Sequence, residues 1–340
     1  MKQYVGLDVS QAETAVCVID ATGQTRWAGT CRSTPDAIGR TLRQRAPEAA
    51  TIAMETGPLA VWHWHALRDA GFPVVCLHAR HAHAALSLQL NKTDRNDALG
   101  LAQLVRTGWY RAVEVKSLES HTLRLLLATR NQLVSTRTTL SNQIRGLLKT
   151  FGIVLGKGKG RTFERLVTAG VQGVDHVRLA IDSLLVLWQH VTQEIKKFDR
   201  EITAVTRRIP ACQHLMTVPG VGPVTALAYA ATVDNPARFK RSTDVGAYLG
   251  LTPRRYQSGE VDRAGAVSKC GDRLTRSLLF EAAGTLLFRN KQPSALRNWG
   301  LRLVRRVGRK KACVAVARKL AVLLHRLWVN DMTFRPEVTT

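Results

Sequence analysis

The sequence predicts an α/β module over residues 1–112, a long helical region over 113–209 and a mainly helical remainder over 210–332. Three observations carry this. Strand and helix patterns alternate up to about residue 112. Heptad spacing dominates the middle third. Charge is divided unevenly: residues 1–100 hold 10 Lys+Arg and 9 Asp+Glu, and the remaining 240 hold 40 and 16.

Along the chain, "QYVGLDVSQAETAVCVIDATGQTRWAGTC" reads as three strands, with turns at Ser10–Gln11 and Ala21–Thr22–Gly23. "TPDAIGRTLRQRA" follows as a helix, with Thr34 at the N-cap and Pro35 at the first helical position. "ATIAMETG" is a strand ending at Gly57, "PLAVWHWHALRDAG" a helix stopped by Gly71, and "FPVVCLHA" a strand. "KTDRNDALGLAQLVRTG" turns helical from about Thr93.

In the middle region Leu126, Leu133, Leu140 and Leu147 recur every seven residues. Ile181, Leu184, Trp188, Val191, Ile195, Phe198, Ile202, Val205 and Ile209 alternate spacings of three and four. Two long helices around the basic loop "GKGKGRT" are expected, packed on each other or on another subunit. After Pro210, "VPGVGP" is a Gly-rich turn between helices. It resembles a helix-hairpin-helix element that binds phosphate, or is a plain connection. "STDVGAYLGLTPRRYQSGEVDRAGAVSKCGDRLTRSLLFEAAG" reads as a loop rich in Gly and Arg, then a helix. Residues 297–319 form one basic helix with nine cationic side chains and no acid.

A formal net charge of +25 points to a polyanionic partner, nucleic acid first. The six cysteines form no CxxC pair, no signal-peptide pattern opens the sequence, and no apolar run approaches a membrane span. A soluble cytoplasmic protein with free thiols and no membrane partner is expected. The histidines of "LHARHAH" and "WHWH" lack the spacing of a structural zinc site, and "GKGKGRT" is not a Walker A loop.

The near-neutral module holds four notable acids. Asp8 lies inside an apolar strand, Glu55 ends another, and Asp94 and Asp97 stand three apart on a helical face. Each alone is compatible with an edge, a cap or a solvated helix start. Together they suit a divalent cation, because hard oxygen ligands favour Mg²⁺ and such ions clamp a transferring phosphoryl group.

The stretches "VGLDVS", "AMETG" and "NKTDRNDA" together resemble the DEDD transposases of bacterial insertion sequences, whose N-terminal domain has the RNase H-like fold of RuvC. "TVPGVGPVTA", "AYLGLTPRRYQSG" and "SKCGDRLTRSLL" are similar to the family's C-terminal part, so the resemblance spans nearly the whole chain. It implies an α/β RNase H-like (RuvC-like) N-terminal domain, a coiled-coil insertion and a mainly α C-terminal domain. It implies that Asp8, Glu55, Asp94 and Asp97 are the metal-binding acids, with Mg²⁺ as cofactor. It also implies that Ser258 is a nucleophile forming a covalent phosphoserine with DNA. Ser242, Tyr256 and Ser268 are the rival hydroxyls, and no Ser–His pair is evident nearby. Arg254, Arg255 and Arg263 could offset phosphoryl charge. Lys269, Arg273, Arg305, Arg306, Arg309, Lys310 and Lys311 complete the expected nucleic-acid contacts. Donor and target DNA, an element-encoded guide RNA, and dimers that pair into a tetramer are the implied partners. One rival reading is a metal-dependent junction nuclease that uses the four acids and water, without a covalent intermediate. Another is a binding protein with no enzymatic activity.

Overall fold

The computed structural model describes residues 2–87 and 91–336, which divide into two compact units between Lys116 and Ser117. In the first unit β1 (Gln3–Val9), β2 (Glu13–Asp20) and β3 (Thr25–Arg32) form an antiparallel meander. Helix α1 (Pro35–Arg45) starts at Thr34, whose hydroxyl accepts from the Ala37 amide at 3.3 Å. Strand β4 (Ala49–Glu55) runs parallel to β1, and after α2 (Ala60–Asp69) strand β5 (Val74–Leu77) runs parallel to β4. Helices α3 (Ala79–Leu86) and α4 (Asp94–Thr107) precede a two-residue strand β6 (Ala112–Val113). The sheet order is β3-β2-β1-β4-β5-β6, antiparallel at both edges and parallel from β1 through β4 to β5, which is the arrangement of an RNase H-like fold. Neither α3 nor β6 stood out in the sequence; each is too short to show a period.

Side chains of β1 alternate between two cores. Val5 and Leu7 pack on one face with Ile38, Leu42, Ile52 and Met54. The other face meets α4, where Ala98 and Ala102 pack with Ala15, Cys17 and Ile19. Gly6 permits this approach: a Cβ there would collide with the Ala98 carbonyl and the Ala102 amide. Gly6→Ala should therefore lower stability by about 3 kcal/mol, measured by urea unfolding, because backbone rather than a movable side chain stands in the way.

The second unit opens with α5 (Leu118–Thr150), α6 (Arg161–Gly170) and α7 (Asp175–Arg208). Helices α5 and α7 lie antiparallel. Arg130 pairs with Asp199 at 2.6 Å, and farther along Trp188 Nε1 donates to Ser141 Oγ at 2.8 Å. Ile181, Trp188, Ile195 and Ile202 of the α7 stripe are buried within the chain, so this seam is covered by α5 and its neighbours. Ile202→Asp should thus unfold this region, seen as a drop in the thermal midpoint, rather than merely separate subunits. On α5 the fully buried positions are Ser120, Leu127, Ile144 and Leu148; of the seven-residue leucine series Leu126 and Leu140 are half-buried against the cores and Leu147 is exposed, so the series follows the buried face only in part. A straight helix drifts from a strict seven-residue repeat, so the contact stripe leaves the leucine row.

Helices α8 (Pro210–Met216) and α9 (Pro223–Val233) follow, with α9 buried all round at the centre of the core. The "VPGVGP" segment joins them, and Gly220 backs onto the Ala282 carbonyl, so part of this turn is committed to packing. A 3₁₀ turn (Pro236–Arg238) and α10 (Asp244–Tyr248) lead into β7 (Pro253–Ser258) and β8 (Val261–Val267). These form an antiparallel hairpin where the sequence predicts a loop. With every β7 side chain exposed, the strand lacks the apolar alternation that would reveal it. Helix α11 (Arg273–Phe288) returns to the core, where it packs with α13 (Arg309–Val329). The predicted single basic helix is two: α12 (Ala295–Val307) ends at Gly308, whose φ of 79° breaks the path before α13 begins.

Candidate active site

Position along β1 decides where the first acid goes. Asp8 lies two residues beyond Gly6, so it shares the face on which α4 lies. Leu7 pairs with Met54 across the parallel β1–β4 ladder, which brings Glu55 to the neighbouring strand end. Thr93 caps α4, its hydroxyl accepting from the Asn96 amide at 3.2 Å. That cap starts the helix at Asp94 and puts Asp94 and Asp97 in its first turn, just ahead of the Ala98 contact with Gly6.

The result is a pocket of about 480 Å³ lined by Asp8, Glu55, Asp94 and Asp97, together with Ser10, His83, Ser87 and Lys92. Burial, then the Asp94 and Asp97 carboxylates, push the Asp8 carboxyl above its usual range, with Lys92 opposing. Burial, then Asp8 and Asp97, raise Glu55 in the same way, against His83 and Lys92. Among the described residues none of the four carboxylates has a salt-bridge partner within 4.0 Å. Nor do three or more His, Cys, Asp or Glu side chains among them close on one point with metal-site spacing. The acids line the pocket as an open set of hard oxygen donors whose mutual repulsion a divalent cation would relieve. Lys92 brings opposing charge to this pocket and His83 lines it, placements their spacing in sequence does not signal.

The two histidines of "WHWH" contact backbone carbonyls. His63 Nδ1 lies 2.9 Å from the Leu59 carbonyl, and His65 Nε2 2.9 Å from that of Lys116. The six cysteines are free thiols, and no described helix is long and apolar enough to cross a membrane.

In the second unit Ser258 is the last residue of β7, opposite Val261 across a turn of Gly259 and Glu260. Gly259 has φ 55°, the positive-φ first position of a II′ hairpin, and a Cβ there would meet nothing within 4 Å. Ser258 is exposed, and among the described residues it has no hydrogen bond to a histidine. Among the described residues Ser242 Oγ does pair with a histidine, His325 Nδ1, 3.0 Å away; His325 is 2% exposed and its Nε2 faces the Pro236 carbonyl at 3.0 Å. Both ring nitrogens are thus occupied, tying α13 to the 3₁₀ turn through Pro236 and to the segment before α10 through Ser242.

The arginines near Ser258 are not equivalent. Arg255 forms two bonds to Asp262, at 2.8 and 2.6 Å, so its charge is largely spoken for. Arg254 reaches the Ser268 carbonyl at 3.3 Å, and Arg263 is exposed on β8. Lys269 and Arg273 are exposed beyond the hairpin, as are Arg305, Arg306, Arg309, Lys310 and Lys311 around the α12–α13 break. Arg309 also lies over the Phe288 ring at 4.2 Å.

Four carboxylates thus lie around the ends of β1 and β4 in a sheet of RNase H-like order. Residues 5–153 match the family model for DEDD transposases of IS110, described as "Transposase", and residues 212–298 match "Transposase IS116/IS110/IS902 family". The chain is 31% identical over 279 residues to the transposase for insertion sequence element IS1111A of Coxiella burnetii, spanning 80% of this chain and 76% of that one. It is 29% identical to a probable family 20 transposase of Pseudomonas aeruginosa, over 87% and 88% of the two chains. A pilin gene-inverting protein of Moraxella bovis is 26% identical over 43% of this chain and 47% of its own. The RuvC structure of Thermus thermophilus aligns with 33% of this chain and 99% of its own, at 14% identity and a TM-score of 0.26. The chain belongs to the IS110-type DEDD transposases of insertion sequences, enzymes that cleave and recombine DNA. DEDD and RuvC-like nucleases generally use divalent metal ions.

Proposed function

We propose that this transposase exchanges DNA strands through a covalent bond to Ser258, with Mg²⁺ held by Asp8, Glu55, Asp94 and Asp97. The observation that carries the reading is the placement of Ser258, an exposed hydroxyl on a tight turn beside a glycine, flanked by Arg254 and Arg263. In the proposed step Ser258 Oγ forms a bond to a DNA phosphorus. One ester P–O bond breaks, and the released deoxyribose oxygen takes up a proton to replace the one lost by serine. Attack by the hydroxyl of another strand on the phosphoserine phosphorus then forms the new phosphodiester, breaks the Ser258 Oγ–P bond and passes its proton back to serine, so no external energy source is required. Arg254 and Arg263 would offset the charge that develops on the phosphoryl oxygens. The ion, when bound, would supply further neutralisation at phosphate.

An element-encoded guide RNA and assembly of dimers into a tetramer belong to the same reading, with work in the cytoplasm. The charge of +25 suits both RNA and DNA. Leu179, Val186 and Leu187 on the outer side of α7 are exposed apolar positions compatible with contact to a second copy. The test is incubation of the purified protein with donor and target DNA, candidate flanking RNA and Mg²⁺, followed by denaturing gels. A protein–DNA adduct that depends on all components is expected. Cleaved DNA with no adduct would instead favour the junction-nuclease reading, which the four-carboxylate pocket supports by itself.

A further inference from the structure

At the far end of the α5–α7 pair, a cavity of about 970 Å³ lies between α5, the 155–160 loop, α6 and α7. It shares no residue with the acid pocket or the hairpin. Its floor is apolar: Phe163 and Trp188 are 1% and 3% exposed, with ring centroids 5.2 Å apart. Its wall is cationic, with Arg137, Arg145, Lys157 and Lys159 all lining it and no acid among the lining residues.

Arg145 organises the loop. Its guanidinium donates to the carbonyls of Leu155, Gly156 and Gly158 at 3.2, 3.0 and 3.1 Å and lies 4.9 Å over the Phe163 ring. The glycine loop is thereby held against α5, with Lys157 and Lys159 on the cavity. Residues 137–165 contain seven Lys+Arg and a single acid, Glu164, which accepts a bond from Gln189 at 2.6 Å. Among the described residues Arg137, Lys157 and Lys159 have no carboxylate within salt-bridge distance. Gathering like charges costs free energy in the unbound protein, and a chain of phosphates reverses the sign of that interaction.

We propose that this cavity is a nucleic-acid backbone site, in which Arg137, Lys157 and Lys159 contact phosphates while Arg145 shapes the loop. Base stacking is not part of it, since both aromatic rings are buried in the floor. The site therefore accepts phosphates without reading sequence. Being distant in sequence from α12 and α13, it gives the protein a second region that grips its nucleic acid.

The test uses the full chain with fluorescein-labelled single-stranded RNA, single-stranded DNA and duplex DNA of equal length, read by anisotropy across a salt series. The double variant Lys157→Ala, Lys159→Ala should bind at least one probe about tenfold more weakly, with a salt slope reduced by one to two. The probe most affected identifies the natural ligand. A control, Lys196→Ala with Arg200→Ala, removes the same charge from exposed positions on α7 and should change binding less than threefold. Wild-type affinity of the loop variant for all three probes would overturn the proposal, as would an equal loss in the control. Should the loop variant fold poorly, acetylation of Lys157 and Lys159 in the wild-type protein decides. Protection by a probe supports the site, and unchanged labelling refutes it.

Discussion

Asp94→Asn combined with Asp97→Asn is expected to reduce DNA cleavage by about a thousandfold or more while leaving the fold intact. Both residues lie in the first turn of α4, where their side chains line the pocket and form no ion pair among the described residues, so the helix does not depend on them. Thr93 still caps α4 in the variant. The carboxylates of Asp94 and Asp97 raise the Asp8 pKa, second only to burial, so removing them relieves repulsion rather than creating an orphaned charge. The sign of the pH effect follows. Asp8 and Glu55 have raised pKa values in the folded protein, so between their ordinary and raised values the native state binds more protons than the unfolded one. Their contribution to stability in metal-free protein is therefore lost as pH rises through that window. The double variant should show a weaker decline. Added Mg²⁺ should raise the thermal midpoint of the wild type at neutral pH by mass action and do so much less for the variant. Equal cleavage by variant and wild type, or equal Mg²⁺ shifts, would remove the four acids from the reaction.

Ser258→Ala should abolish both the covalent adduct and recombination. The change deletes one exposed oxygen at the end of β7 and touches no core residue, so the thermal midpoint should stay within about a degree of wild type. Tyr256→Phe is the matched control. Tyr256 is 66% exposed on the same strand and carries the only other hydroxyl of β7, so loss of its oxygen should leave the adduct in place. Peptide mapping of trapped complexes separates three outcomes. A nucleotide mass on Ser258 supports the serine mechanism, the same mass on Tyr256 transfers the role to tyrosine, and wild-type cutting by Ser258→Ala makes water the nucleophile.

Much of the first unit was legible because its signals are local. The apolar runs of β1, β2 and β4, the Thr34 and Thr93 caps and the Gly71 stop each depend on a few adjacent residues, and the strands and helices form where those patterns place them. The four acids were visible as unusual residue types in a basic chain. What no spacing shows is that Asp8, Glu55, Asp94 and Asp97 line one pocket. That depends on the parallel register of β1 with β4 and on the close passage of α4 over Gly6, which are contacts between residues 40 to 100 positions apart. The middle region divided in the same way. Heptad spacing determined that long helices form, but spacing is blind to the partner, and only packing decided that the α7 stripe is covered within the chain. The Ser258 hairpin and the cationic cavity lay furthest from sequence reading. An exposed two-stranded hairpin has no apolar period, and Arg137 meets Lys157 and Lys159 only because Arg145 draws a glycine loop back against α5. Residue types and periods were set by the sequence alone, whereas which distant groups share a space was decided by tertiary packing, because Coulomb and hydrogen-bond energies depend on separation in space and not along the chain.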